Sequence, residues 1–220
     1  MNILAIETAT PVCSMALFQQ GKLVDIREKV LHRKHAEKLP LYFEELREIH
    51  NLSLKTLDGI AVSIGPGSFT GLRIGLSYAK GLAFSADIPL VPVSTLQALV
   101  FGAKPKGGNV RCLLHSHKDA AYGQDFRVEP SGIVPMGKAE LRTLTEHSES
   151  LPEGFDILQY GCDELLTELD VPASQAITSA RHVGKLACHH FNDWVIRDFY
   201  SLEPSYVSAF KLGGSLKSVN

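Results

Sequence analysis

Charge of one sign is the first thing this chain has little of. Its 22 lysines and arginines stand against 24 aspartates and glutamates, a formal net charge of −2, with no long basic run. Holding nucleic acid unaided takes clustered cations to neutralise phosphates, so the chain alone is a poor candidate for that work. Long apolar stretches are missing too. Nothing approaches the ~20 residues a membrane-spanning helix needs, and the sequence runs from Met1 straight into a strand with no basic leader or cleavage site. The four cysteines, Cys13, Cys112, Cys162 and Cys188, lie far apart and form no Cys-x-x-Cys pair. That is the pattern of a reduced cytoplasmic protein with buried thiols. Familiar catalytic frames are absent: no Gly-Lys-Ser/Thr ending of a P-loop, no Gly-x-Ser-x-Gly elbow and no His-Glu-x-x-His pair.

What the chain does contain is a concentrated stretch from Ser63 to Phe84. The apolar run Gly59 to Ile64 is short, partly β-branched and nearly free of charge, as in a strand buried on both faces. A loop with Gly65, Gly67 and Gly71 follows, stiffened by Pro66. Tight strand-to-helix packing is the plain explanation of these glycines. The free N–H groups at the start of the next helix make the loop an anion cradle as the alternative. That helix, roughly Leu72 to Ala86, carries only Arg73 and Lys80 as charges and is apolar or small nearly all round. Gly75, Ala79 and Ala83 follow at i+4 spacing and form a low ridge that another helix could approach closely. Its cover would be either a second layer of the same chain or another protein. Arg73 and Lys80 share a helix face, where they would pair with a partner's acids or stay solvated.

The flanking segments alternate regularly. Asn2 to Thr8, Val12 to Gln19 and Lys22 to Val30 read as three strands of an antiparallel meander, the last two joined at Gln20-Gly21. His35 to Asn51 reads as a helix with Leu39, Tyr42, Phe43, Leu46 and Ile49 on one stripe. A strand at Pro89 to Val93 and a helix at Ser94 to Ala103 complete an order βββαβαβα. Lys104 to Asn109 is polar and rich in turn formers, so it separates an N-terminal domain, 1–103, from a smaller C-terminal one, 104–220, whose tail can pack back on the first. In that second half, strands are expected at Val110 to His115, Ala120 to Arg127, near Gly132 to Pro135 and at Asp156 to Tyr160. Helices are expected at Lys138 to Ser148, Cys162 to Leu169 and Ser179 to Phe191. The tail from Leu202, with Pro204, Tyr206 and Lys211, is expected to fray at its end.

Three meander strands followed by alternating helices and strands, twice over, resemble the actin-like ATPase and sugar-kinase superfamily. This implies an α/β fold of two actin-like (ribonuclease H-like) domains, each a mixed sheet with helices. Ile3 to Thr10 (Ile-Leu-Ala-Ile-Glu-Thr-Ala-Thr), Gly65 to Arg73 (Gly-Pro-Gly-Ser-Phe-Thr-Gly-Leu-Arg) and Ala79 to Ala83 (Ala-Lys-Gly-Leu-Ala) are similar to the TsaB (YeaZ) family of bacterial tRNA threonylcarbamoyladenosine biosynthesis proteins. In the second half the likeness rests on Tyr122, the Gly161 turn and Pro204-Ser-Tyr206. The resemblance implies a non-catalytic scaffold required by the paralogue TsaD, which transfers threonylcarbamoyl to adenosine 37 of tRNAs reading codons that begin with A. TsaE would be the ATPase of the same assembly, and tRNA would be met only through the complex. The resemblance also implies that the two N-terminal helices form both a homodimer and the TsaD heterodimer through one surface, so that the two assemblies compete. The residues expected there are Leu39, Tyr42, Phe43 and Leu46 of the first helix and Leu72, Arg73, Gly75, Leu76, Ala79, Lys80 and Ala83 of the second. TsaD's metal-binding histidines fall near Thr95 and Leu99 here, neither of which can ligate as imidazole does.

Further expectations attach to other residues. Glu7, Thr8, Gly65, Gly67 and Ser68 are candidates for contact with a nucleotide or anion. No cofactor is expected on the chain alone, and ATP or ADP would sit at the complex interface. Glu7 stands where the family usually has aspartate, and its extra methylene would displace a metal-facing carboxylate. His115-Ser116-His117-Lys118-Asp119 replaces the family's usual Asp-Ala-Arg-like segment before Tyr122. His115 with His117, His32 with His35 and adjacent His189 and His190 could ligate zinc only with a third ligand and supporting groups. Thr8, Ser14, Ser68 and Thr70 suit capping and turn bonds as well as a nucleotide cleft. The competing functions are a glycoprotease-like metallohydrolase and a small-molecule kinase of the same superfamily.

Overall fold

The computed structural model describes residues 1–207; the tail end containing Lys211 lies outside the described residues. The first sheet is built from β1 (Ile3–Glu7), β2 (Val12–Gln19), β3 (Lys22–Val30), β4 (Gly59–Gly65) and β5 (Leu90–Ser94). Its order is β3-β2-β1-β4-β5. The three meander strands are antiparallel, and β4 and β5 join β1 in parallel. Gln20 and Gly21 both take positive φ, 53° and 74°, the primed turn whose twist suits a two-residue hairpin.

Strand periodicity sorts the core into two layers. Leu4, Ile6, Met15, Leu17, Ile60 and Val62 point to one face, covered by α1 (His35–His50) and α2 (Phe69–Ala86). Ile3, Ala5, Ala16, Phe18, Ala61 and Val91 point to the other. That second face is covered from the far end of the chain, by α6 (Ala180–His189) and partly by α7 (Phe191–Trp194). The chain therefore leaves the first sheet through α3 (Thr95–Ala103) and builds a second sheet before coming back.

That second sheet contains β6 (Gly108–His117), β7 (Ala120–Glu129), β8 (Gly132–Thr143), β9 (Phe155–Tyr160) and β10 (Ser174–Gln175), in the order β10-β9-β6-β7-β8. Helices α4 (Leu144–Glu149) and α5 (Asp163–Glu168) complete it. The helix expected from Lys138 begins only at Leu144. Lys138 to Thr143 instead continues β8 against β7, with Glu140 opposite Gly123 and Arg142 opposite Ala121. Thr143 then sets the start of α4 through a reciprocal capping box with Glu146.

After α7 the chain forms a strap. Ile196 exchanges backbone bonds with Leu90 at the sheet edge, 3.0 and 2.8 Å, and Phe199 is buried in the α1/α2 layer. Ser205 N–H then donates to the Ile64 carbonyl at 2.7 Å. The strap covers one flank of α2, so the same chain supplies part of the second layer.

Gly184 lets α6 sit down on the first sheet: a Cβ there would lie 2.2 Å from Phe18 Cε2 and 2.9 Å from Ala5 Cβ. Phe18 is fully buried and has nowhere to turn. Gly184→Val is expected to lower stability by about 2 kcal/mol or more, measured as a shift of the denaturant midpoint. A variant as stable as the parent would contradict this packing.

Candidate functional site

The end of β1 and the start of α2 meet almost backbone to backbone. Thr8 Oγ1 donates to the Gly71 carbonyl at 2.8 Å, and Ser68 N–H donates to the Ala9 carbonyl at 2.7 Å. A Cβ on Gly71 would lie 2.1 Å from the Thr8 carbonyl oxygen, and one on Gly75 would lie 2.1 Å from Thr8 Oγ1. Gly67, at φ +158°, would bring a Cβ within 2.4 Å of the Ala9 carbonyl oxygen. Three glycines thus remove the side chains that would hold the helix off the strand. Ser68 caps the helix, its Oγ accepting from Gly71 N–H at 3.2 Å.

This seating corrects the expected partner surface. Leu72, Gly75, Leu76, Ala79 and Ala83 of α2 are buried inside the chain, as are Leu39, Tyr42, Phe43 and Leu46 of α1. The ridge of Gly75, Ala79 and Ala83 faces its own sheet because only small residues tolerate that approach. A second ridge at i+4 spacing, Ser77, Gly81 and Ser85, is exposed, and a Cβ on Gly81 would meet nothing within 4 Å. The α1/α2 layer also exposes Phe84 (67%), Ile49 (59%) and Leu41 (50%). Arg73 and Lys80 are held by the strap. The Arg73 guanidinium lies 3.7 Å above the Phe69 ring, and its Nε donates to the Tyr206 hydroxyl at 3.0 Å. Lys80 Nζ donates to the Tyr200 carbonyl at 2.9 Å.

Of the residues expected to contact a nucleotide, Gly67 and Ser68 line a cleft of about 500 Å³. It lies between the β1–β2 turn and α2 start on one side and the second sheet on the other. Glu7 and Thr8 are fully buried and lie outside its lining, as does Gly65. Glu7 Oε1 accepts from Ala9 N–H at 2.5 Å, while Oε2 has no partner among the described residues. Burial pushes the Glu7 carboxyl up to about 7, with a smaller push from Glu28 and against the pull of the Ala9 N–H. Ser63 lies close enough to favour the ionised form, yet its Oγ also lacks a hydrogen bond of full geometry. A proton on Oε2 aimed at Ser63 Oγ would satisfy both groups.

Several of the histidines are engaged within the fold. His35 Nε2 meets the Thr10 carbonyl at 3.0 Å, His115 Nε2 meets the Lys118 carbonyl at 2.9 Å and His117 Nδ1 meets Ser116 Oγ at 3.1 Å. His190 stacks on Trp194. Among the described residues no three His, Cys, Asp or Glu side chains come together as a metal site. Thr95 and Leu99 are buried on α3. No described helix is long and apolar enough to cross a membrane.

The family model described as TsaD, tRNA N6-adenosine threonylcarbamoyltransferase, matches residues 26–134. The tRNA threonylcarbamoyladenosine biosynthesis protein TsaB of Escherichia coli (strain K12) is 36% identical over 135 residues, 60% of this chain and 58% of the relative. The TsaB of Buchnera aphidicola subsp. Baizongia pistaciae (strain Bp) is 35% identical over 194 residues, 81% of this chain and 87% of the relative. The match thus spans little more than half of the first relative and most of the second. The solved structure of YeaZ from Pseudomonas aeruginosa superposes with a TM-score of 0.79 at 23% identity, covering 93% of this chain and 99% of that one. This likeness shows the shared fold.

Glu7 makes stability depend on pH. The unfolded chain releases this proton near 4.5 and the folded one near 7, so between these values the folded state holds a proton the unfolded state has lost. The Glu7 contribution to stability therefore falls as pH rises from about 4.5 to about 7 and is flat beyond. Glu7→Gln, neutral throughout, is expected to exceed the parent above pH 7 by up to about 3 kcal/mol and to match it near pH 4. Equal midpoints for the two proteins at pH 8 would refute the assignment.

Proposed function

Since the chain belongs to the TsaB family, we propose that it acts in tRNA threonylcarbamoyladenosine biosynthesis as a non-catalytic scaffold for TsaD. In this reading TsaD transfers threonylcarbamoyl to adenosine 37 of tRNAs that read codons beginning with A, and TsaE joins the same cytoplasmic assembly. The tRNA meets this chain through the complex. ATP or ADP would sit at the interface between chains.

The observation that carries the proposal is the outward face of the α1/α2 layer. Ser77, Gly81 and Ser85 are exposed on α2, and the same layer exposes Phe84 of α2 and Leu41 and Ile49 of α1. Small residues at i+4 spacing allow a second helix to come close, and flanking apolar side chains supply the area that drives association. We infer that this face serves both a homodimer and the TsaD heterodimer, so each excludes the other.

Two glycines of one helix separate this role from simple folding. Gly81→Trp is expected to leave the melting temperature within a few degrees of the parent and to abolish activation of TsaD in a threonylcarbamoyl-transfer assay with TsaE and tRNA. Gly75→Val is expected to cost about 2 kcal/mol or more of stability, since its Cβ has no room. Full activation by the Gly81→Trp protein, or a homodimer that persists unchanged as TsaD is titrated in, would remove the proposed surface.

A further inference from the structure

At the end of α2 away from the cleft stand the two most exposed Phe or Tyr rings among the described residues, Phe84 (67%) and Tyr200 of the strap (70%). They adjoin each other. Their centroids lie 6.4 Å apart at 71°, an edge-to-face pair. Tyr200 is placed from two directions. Its ring stacks on Phe199 at 5.5 Å, and its carbonyl accepts from Lys80 Nζ at 2.9 Å. Phe199 is in turn buried in the α1/α2 layer. The two rings thus form a preformed wall, with the order that a small-molecule pocket requires.

That wall borders a pocket of about 350 Å³ where α2 ends and the strap begins. The floor is apolar, with Ala83 and Phe199 buried and Ile88 half-buried. Two opposite charges also line it, Asp87 and Arg197, both exposed. They do not neutralise each other: neither side chain has an ion-pair or hydrogen-bond partner among the described residues. Asp87 caps α2 in the left-handed conformation, φ 55°, its N–H donating to the Ala83 and Phe84 carbonyls. Its carboxylate therefore sits at the negative end of the helix dipole, where a cation is favoured. The Arg197 guanidinium offers a carboxylate two parallel bonds. One free acid, one free base and an apolar floor match a molecule that carries both charges and an apolar group.

We propose that this pocket is a binding site for a free α-amino acid with a large apolar side chain. Asp87 takes the ammonium, Arg197 takes the carboxylate, and the side chain packs on the floor against Phe84 and Tyr200. The site selects the zwitterion over analogues lacking either charge. The proposal does not rest on the scaffold reading, since it concerns binding by the chain alone and is read without TsaD.

The test uses the full chain at neutral pH and low salt, with ligand-observed NMR, which registers weak binding. The probes are L-phenylalanine, phenethylamine (no carboxylate), 3-phenylpropionate (no ammonium) and N-acetyl-L-phenylalanine amide (neither charge). Saturable binding of L-phenylalanine is expected, with each of the others weaker by about threefold or more, the scale of one exposed ion pair. Arg197→Gln is expected to weaken L-phenylalanine and 3-phenylpropionate and to leave phenethylamine unchanged. Asp87→Asn keeps a residue that accepts left-handed backbone. It is expected to weaken L-phenylalanine and phenethylamine and to leave 3-phenylpropionate unchanged. Tyr200→Ala is expected to weaken all of them. Absence of L-phenylalanine binding, or binding that neither charge substitution weakens in folded protein, overturns the proposal. An uncharged amide that binds as tightly as the free amino acid also overturns it and assigns the pocket to an apolar side chain of a polypeptide.

Discussion

The contact on which the rest depends is the seating of α2 on the end of β1, where Thr8 bonds to the Gly71 carbonyl and occupies the space that a side chain on Gly75 would fill. At that separation a single added methyl has no place, so the helix can take only one rotation about its axis. Rotation decides everything downstream. It turns Gly75, Ala79 and Ala83 toward the sheet and Ser77, Gly81 and Ser85 toward solvent. It also brings Gly67, Ser68 and Phe69 to the rim of the cleft.

A second constraint comes from the chain's path. The first sheet has two apolar faces, and the N-terminal residues cover only one of them. α6 returns from beyond the second sheet to cover the other, so neither unit is complete without the crossing. The crossing is tied by polar contacts at the top of the first sheet: the Thr10 and Thr178 hydroxyls lie 2.7 Å apart, and Ala180 N–H donates to Ser14 Oγ at 3.1 Å. Such bonds are buried and would be costly to leave unmade. The two walls of the cleft are thereby held in a defined relation, which is what allows rings from distant parts of the sequence to face each other across it.

Much of this was legible in the linear text. The three meander strands, the buried β4, the glycine loop and the βββαβαβα order follow from strand periodicity and turn residues, and the glycines prove to be packing devices, as their plain reading held. The misplaced helix at Lys138 shows the limit of local reasoning. Lys-Ala-Glu-Leu-Arg has good helix formers, yet the waiting edge of β7 claims it for a strand, and tertiary pairing outweighs propensities worth only tenths of a kcal/mol per residue. Arg73 and Lys80, read as pairing with a partner's acids or staying solvated, are bound by a strap more than a hundred residues away, which no local pattern announces.

The sequence by itself determined that α2 would carry small residues wherever something had to come near. It could not say which of two equally spaced small ridges met the sheet and which met solvent, because periodicity specifies a stripe and not its direction. Only the close fit against Thr8 resolved that choice. The same holds for the cleft: Tyr122 and Tyr206 stand out along the chain only as points of family likeness, and their convergence with Tyr160 arises from strand register and from the strap's return, both of which are long-range contacts.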